Sequence, residues 1–573
     1  MKSFLKVFCA VAAALGASFV LLLIFTFLGT QTPRPRIENA IRAANDAGHL
    51  DPLRNIDNDL FTECSLLAAE MLRDSNVFRD IVSSNLASTN SFPCDVIPQY
   101  LAGAPREVRR EFRYFYGARH LVAVLVRVMS IDRIRSLLTF LGYAAPFLLG
   151  AAFYFRARQS LAVISPLLVT LLVGIDLGNL GRNFAHSPGF VFPLLMLAAI
   201  VWWRDFFRPL ELRFAAYAVT AAVTTYFDIL NGPLPFILAV TVIVNYYAFN
   251  SGRKDASVLL QSAGLCVLFI SAAATIIGLK LGMASLSYGV QPFHEFVTAL
   301  QIRMSTKDEN LGALSYMQVA MRLWNSRALH FFNSTSAATL FHVAGLTAWL
   351  AALVLLIARS RDRYREFLVL AGSALIVVLW YGSFMNHTFT HYQFMGRIGV
   401  LPSAAGLTAF IAMSDGPLRF AGLVVVPMAG VLALVQHLEQ PQFLELRLEQ
   451  HSSVDAASCS NDLQLGPDGK PDVVWRVTLS GSRISGAHLT EVNIYRVGPL
   501  GVWSTSPGHF PVAVLSADGN LLSALDRKVD VPINSREELL FAVCKDNADT
   551  PQSRYSLTLS TSRGKISAAL TPP

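Results

Sequence analysis

A chain of 573 residues that is 53% hydrophobic and only 15% charged, with a mean hydropathy of +0.45, is too apolar for a soluble globular protein. It belongs to the polytopic membrane class. Its net charge of +8 and pI near 9.2 would suit nucleic acid, but most basic residues sit in short loops between apolar runs, as membrane topology requires, so no nucleic-acid partner is expected.

In chain order, Lys2 and Lys6 precede an apolar run over 7–28. That run is long for a signal peptide and no small-residue cleavage site follows, so residues 1–30 predict a retained first span with the N-terminus cytoplasmic. Residues 31–136 are hydrophilic. Ten further spans are predicted at 137–155, 160–178, 189–203, 213–228, 233–249, 258–279, 338–358, 366–384, 397–413 and 420–437. The loops this scheme places inside carry Arg156 and Arg158; Arg204, Arg208 and Arg213; Arg253 and Lys254; Arg359, Arg361, Arg363 and Arg365; and Arg419. The short outer loops carry only Arg182 and Arg397. This alternation predicts eleven spans, a membrane core over 137–437, and three outer segments at 31–136, 280–337 and 438–573.

The last segment differs in character. Apolar alternation over 473–479, 491–497, 511–515, 539–544 and 555–559, separated by Gly, Pro and Asp turns, predicts an extracytoplasmic β-sandwich. The expected fold is therefore an α-helical polytopic membrane protein ending in a β-domain. Cys9 and Cys266 fall in apolar runs and read as packing residues. Cys64 and Cys94 share one hydrophilic segment and Cys459 and Cys544 another, so each pair is open to disulfide formation outside the cytoplasm. No C-x-x-C occurs, and no zinc site is expected.

The densest acidic stretch is 55–64, which holds Asp57, Asp59 and Glu63. It reads either as a solvated helix turn or as a catalytic carboxylate set; on a helix Asp59 and Glu63 share one face. Ionisable residues at membrane edges are costly and mark function by default. Those on the predicted outer side are Asp176, Asp228, Lys280, His387, His391 and Arg397. Plain readings stand beside each. Asp228 precedes a Gly-Pro turn and suits a helix cap. His387 and His391 have metal-like i,i+4 spacing without an H-E-x-x-H motif, and Lys280 and Arg397 suit snorkelling at span ends. Together, cations beside acids fit one chemistry: cations steady a lipid-phosphate leaving group while a carboxylate takes a proton from an acceptor hydroxyl. A basic, aromatic run over 106–120, continued by Arg127, Arg133 and Arg135, predicts an amphipathic helix in the headgroup plane.

One amino-terminal span, an acidic motif in the first outer loop, about eleven spans and an outer C-terminal domain resemble the GT-C superfamily of membrane glycosyltransferases. The stretches Asp59–Glu63, Arg113–Gly117 and Tyr226–Asp228 with Leu230 and Pro233 are similar to bacterial members of the arabinofuranosyltransferase type, as is the patch of His387, His391 and Arg397. The terminal domain is similar to the carbohydrate-binding module of cell-wall arabinosyltransferases. The resemblance implies a bacterial inner-membrane protein. It would be an inverting transferase moving a sugar, arabinofuranose foremost, from a polyprenyl-phosphate donor to a glycan, lipid or protein acceptor outside the cytoplasm. It implies Asp59 as general base with Asp57 or Glu63 orienting it, Lys280, Arg397, His387 and His391 on the donor phosphate, and Asp228 on the sugar or a cationic partner. No cofactor is assigned, and metal dependence stays open, since the acids and histidines could support a divalent cation without requiring one. The chain departs from the family pattern in having no adjacent Asp-Asp pair. A transporter or flippase for lipid-linked glycans is the alternative, but it calls for two related halves and no internal repeat is present. A non-catalytic glycan receptor is the third reading.

Overall fold

The computed structural model describes residues 2–47, 50, 60–87, 93–103, 108–112, 117–159, 161–175, 183–228, 232–251, 256–308, 312–327, 335–358 and 361–414, and strand residues between 445 and 570. The chain divides into two compact units. Met1–Ala44, Ser65–Ala87 and Pro105–Gln436 form the first, and Asn45–Cys64, Ser88–Ala104 and His437–Pro573 the second.

The first unit is helical. It opens with α1 (Lys2–Thr30) and α2 (Arg34–Asp46). Then come α3 (Leu60–Met71), whose first turn belongs to the second unit, α4 (Val77–Val82) and strand β1 (Ser84–Ala87). Helix α5 (Pro93–Leu101) lies in the second unit, and β2 (Val108–Glu111) pairs antiparallel with β1. Short α6 (Gly117–Leu125) leads into α7 (Ile131–Phe155), α8 (Leu161–Val169), α9 (Ser187–Trp202), α10 (Leu210–Phe227), α11 (Pro233–Asn245) and α12 (Ser257–Tyr288). Next are α13 (Gln291–Met304), a small hairpin of β3 (Lys307–Asp308) and β4 (Gly312–Ala313), and α14 (Tyr316–Arg327). The unit closes with α15 (Thr335–Ala358), α16 (Tyr364–Ser383), α17 (Met385–Thr390), α18 (Tyr392–Ile398) and α19 (Leu401–Met413).

Among the described residues, seven helices are long and apolar enough to cross a membrane. They coincide with the predicted spans at 7–28, 137–155, 233–249, 258–279, 338–358, 366–384 and 397–413. The predicted spans at 160–178 and 189–203 correspond to the shorter α8 and α9, that at 213–228 to α10, which has 18 residues and is not among the seven, and 420–437 lies outside the described residues. Helices α8 and α11 each end in a π turn, Thr170–Gly174 and Tyr246–Asn250, a local widening that fits one extra residue into the turn.

Local chemistry explains the helix ends. Ser130 caps α7 and Asn76 caps α4 through their side-chain oxygens. Gly232 takes φ +105 before Pro233 opens α11, a left-handed residue followed by a ring already set for a helix. Helix α11 is buried on every side, which is why it reads as apolar without a polar face. Helices α15 and α19 cross closely because both are glycine at the contact. A Cβ on Gly345 would sit 2.5 Å from the Ser403 Cβ, and one on Gly406 2.7 Å from the Trp349 ring.

One end of this unit gathers the elements that matter below. The Thr26 hydroxyl bonds the Tyr226 hydroxyl at 2.7 Å, joining the end of α1 to the end of α10. Gly117 lies flat against the Tyr226 ring, and Gly232 meets Ile398 of α18. A Cβ at Gly117 would overlap the Tyr226 ring. Gly117→Ala is therefore expected to cost about 1–3 kcal/mol through overpacking, measured as a lower melting temperature of the detergent-solubilised protein.

In the second unit, Cys64 and Cys94 form a disulfide, with S–S 2.01 Å, that ties the first turn of α3 to α5. Cys459 and Cys544 lie outside the described residues. The C-terminal strands are β5 (Glu445–Gln450), β6 (Val473–Ser480), β7 (Ala487–Val497), β8 (His509–Phe510), β9 (Val512–Ser516), β10 (Leu521–Ser523), β11 (Lys528–Ile533), β12 (Arg536–Val543), β13 (Arg554–Thr561) and β14 (Gly564–Leu570). They pair antiparallel in the orders β10-β9-β12-β6-β5 and β11-β7-β13-β14, with β8 on β7. Trp475 faces Phe541 in the first register and Ile494 faces Leu557 in the second.

Candidate functional site

Asp228 ends α10 in extended backbone, and its Oδ2 accepts from His186 Nδ1 at 2.8 Å. Both side chains are buried. His186 stands at the start of α9, directly before Ser187 and Pro188, so the dyad joins the beginning of one apolar helix to the end of the next. Gly232 stands at the N-cap of α11, and the Asp228 carboxylate bonds the His186 imidazole. Gly189 lets the aspartate approach, since a Cβ there would lie 3.1 Å from both the Asp228 Cβ and the Pro233 ring. His186 escaped sequence reasoning. Its only signal was a lone histidine before a Ser-Pro helix start.

Nearby, α17 carries His387 and α18 carries Arg397 in its last turn. Arg303, at the end of α13, bonds His387 Nδ1 at 2.5 Å. An arginine only donates, so this nitrogen accepts and the proton of the neutral ring is on Nε2. The rings of His387 and His391 lie 4.6 Å apart. Arg397 is half-buried, and its neighbour Ile398 packs on Gly232, four residues beyond Asp228. Among the described residues, no three His, Cys, Asp or Glu side chains gather as metal ligands.

Lys280, late in α12, is buried, and its ammonium donates to the Phe112 carbonyl at 2.6 Å. Glu111 supplies the nearby negative charge. Phe112 directly follows β2, so the lysine pins that strand to the helical bundle.

The basic run over 106–120 does not form one amphipathic helix. Its described part is strand β2 and then, from Gly117, the buried start of α6. Arg119 is fully buried because two carboxylates await it. Its Nε donates to Glu70 at 2.6 Å, one Nη to Asp80 at 2.6 Å and the other to Ser84 at 3.1 Å. Arg73 also pairs with Glu70, and it donates to the carbonyls of Gly29, Thr30 and Thr32 beyond the end of α1. Two positive and two negative side chains thus balance. Burial drives the Glu70 carboxyl upward against the pull of Arg119 and Arg73. For Arg119 burial acts downward, but Asp80 and Glu70 outweigh it and hold the guanidinium above its ordinary value. Arg127 bonds Leu28 and Thr32, so it too serves the end of α1.

His120, one residue on, is buried with its Nδ1 unpartnered. Burial, then the charges of Arg119, Arg73 and Lys280, hold it well below the usual 6.5. Such a histidine stays neutral in the fold while the unfolded chain takes up a proton. Stability is therefore complete above about pH 6.5 and falls below it, by up to about 1.4 kcal/mol per pH unit, until the folded-state value is reached. His120→Gln is expected to remove this slope from melting curves recorded between pH 7.5 and 5.

Of the acids singled out in the sequence, Glu63 sits fully buried in the first turn of α3, within the second unit. Asp57, Asp59 and Asp176 lie outside the described residues, as do 113–116. The structure brings together Gly117 with Tyr226, Asp228 with His186, and Ile398, next to Arg397, with Gly232. An open groove of about 350 Å³ runs along α7, lined by Arg135, Ser136, Thr139, Phe140 and Tyr143. Compared with known proteins, the chain matches no family model, no curated protein and no solved structure.

Proposed function

We propose that this chain is an inverting membrane glycosyltransferase. It moves a sugar, arabinofuranose foremost, from a polyprenyl-phosphate donor to a glycan, lipid or protein acceptor outside the cytoplasm. The observation that carries the reading is the convergence at one end of the helical unit. Gly117 packs on Tyr226, two residues before the buried Asp228–His186 pair, and Ile398, directly after the His387–Arg397 patch, packs on Gly232, four residues after Asp228. A transfer of this kind needs a base for the acceptor hydroxyl and cations for the departing phosphate. In this reading Asp59 takes the proton, with Asp57 or Glu63 orienting it. Lys280, Arg397, His387 and His391 hold the donor phosphate, and Asp228 with His186 faces the sugar. The α7 groove, with an arginine beside Phe140 and Tyr143, suits a lipid-linked donor.

The topology of this reading has eleven spans in a bacterial inner membrane, the N-terminus cytoplasmic and the patches on the outer side. In the same reading residues 438–573 form a β-sandwich that holds the acceptor glycan; the two antiparallel strand sets support its all-β character. The test is direct. Purified protein incubated with radiolabelled polyprenyl-phosphate sugar and an acceptor extract is expected to transfer label. Asp59→Asn is expected to lose at least about 10²-fold of that rate while inserting normally. Lipid movement without chemistry, binding without turnover, or wild-type transfer by Asp59→Asn would each refute the assignment.

A further inference from the structure

The loop between α12 and α14 presents an apolar face that nothing among the described residues of the helical unit covers. Helix α12 has 32 residues and spans about 48 Å, against a hydrocarbon thickness of about 30 Å. Its apolar run ends near Lys280, so the last turns project past the bilayer core. They do not become polar: Leu286 is 81% exposed and Val290, beyond the bend at Gly289, is 83% exposed.

Helix α13 then shows three faces, besides a flank of Gln291, Glu295 and exposed Ile302 opposite the apolar one. Phe296, Ala299 and Arg303 are half-buried, and Arg303 reaches His387. His294, Thr298 and Gln301 are exposed and polar. Between these faces, Phe293, Val297, Leu300 and Met304 recur at helical spacing, three of them exposed. A helix needs such a third face when it meets protein on one side, water on another and a third medium at its flank.

The level of this face is set by α16, one of the seven long apolar helices. The Ser305 carbonyl accepts from the Asn386 N–H at 3.2 Å, just past the end of α16. On the return leg, Tyr316 lies over Gly382 in the last turn of α16, and Tyr316 and Met317 are exposed. Both legs of the loop therefore sit at the end of a candidate span, where aromatic and apolar side chains meet the headgroups. Helix α12 itself exposes apolar side chains at Leu260, Val267 and Ile270, as a membrane helix does to lipid.

We infer that α13 is an interfacial helix seated in the headgroup–acyl boundary of the same leaflet that the spans emerge from, with the lipid surface as its partner. Seating the helix there also fixes the height of Arg303, and through it His387, above the hydrocarbon.

The test uses the full chain reconstituted in phosphatidylcholine vesicles. Val297→Cys and Phe293→Cys on the apolar face and His294→Cys on the polar face each carry a bimane label, corrected for label taken up by the parent protein. Lipids brominated near the headgroup end of the acyl chain are expected to quench the Val297 and Phe293 labels at least about twofold more strongly than the His294 label. Equal quenching at all three positions overturns the inference. So does copy-to-copy crosslinking through Val297→Cys at high lipid dilution, which assigns the face to a second copy. Two apolar positions guard against one variant that fails to fold. The readout needs no turnover, so it stands apart from the transferase reading.

Discussion

Arg119→Ala is expected to leave little folded protein. The side chain is fully buried and divides its donors among Glu70, Asp80 and Ser84. Truncating it leaves Asp80 without its arginine and Glu70 with Arg73 alone, in a site that water does not reach. Removing one partner of a buried pair costs about 3–5 kcal/mol, a large part of the roughly 5–15 kcal/mol that holds a domain together. The loss falls on α3, α4 and α6 together, since each supplies one member of the network, and on α1 through Arg73. Arg119→Lys keeps the charge but not the planar fork, and it reaches at most one carboxylate well, so it is expected to fall between wild type and alanine. The combined variant Arg119→Met, Asp80→Asn removes one charge of each sign and leaves the Glu70–Arg73 pair balanced. It is expected to recover most of the stability, because the cost lies in unpaired charge more than in lost attraction. Melting temperatures in detergent rank the four proteins. A single Arg119→Ala variant as stable as wild type would show that the network carries no structural weight.

This network also marks where sequence reading ends. The long apolar runs forming α1, α7, α12, α15 and α16 are legible because lipid and buried core both demand unbroken apolar residues, and the Gly232–Pro233 turn is legible because only glycine accepts its backbone. Arg119 looked like surface charge in a basic run. Its carboxylates lie 49 and 39 residues away, and no periodicity encodes a pair at that distance. The same holds for His186 and Asp228, 42 residues apart. Sequence identified Asp228 as costly at a membrane edge, but not the imidazole that makes the position tolerable. Lys280 was marked for the same reason, and its partner is a backbone carbonyl 168 residues back, which no side-chain pattern foretells. Buried charge is visible in a sequence as an anomaly, while its resolution belongs to the fold.

The dyad supports the second large prediction. Asp228→Asn keeps the volume that packs on Gly189 and Pro233 but removes the charge that His186 bonds. In a transferase this is expected to reduce turnover about 10²-fold, or roughly 2.7 kcal/mol of barrier, the scale of a charge-assisted hydrogen bond that matters at the reacting centre. His186→Asn places an amide N–H close to where Nδ1 stood. If His186 only positions the carboxylate, this variant retains most activity, whereas His186→Ala falls toward Asp228→Asn. If the imidazole itself exchanges a proton with substrate, His186→Asn is as impaired as His186→Ala, and the pH profile of the remaining activity changes. The double variant decides whether the two residues act as one. Paired groups lose their joint contribution once, so Asp228→Asn with His186→Ala is expected to be no slower than the worse single variant. Fully additive losses would mean two independent roles, and unchanged turnover in Asp228→Asn would place the reacting centre elsewhere in the chain.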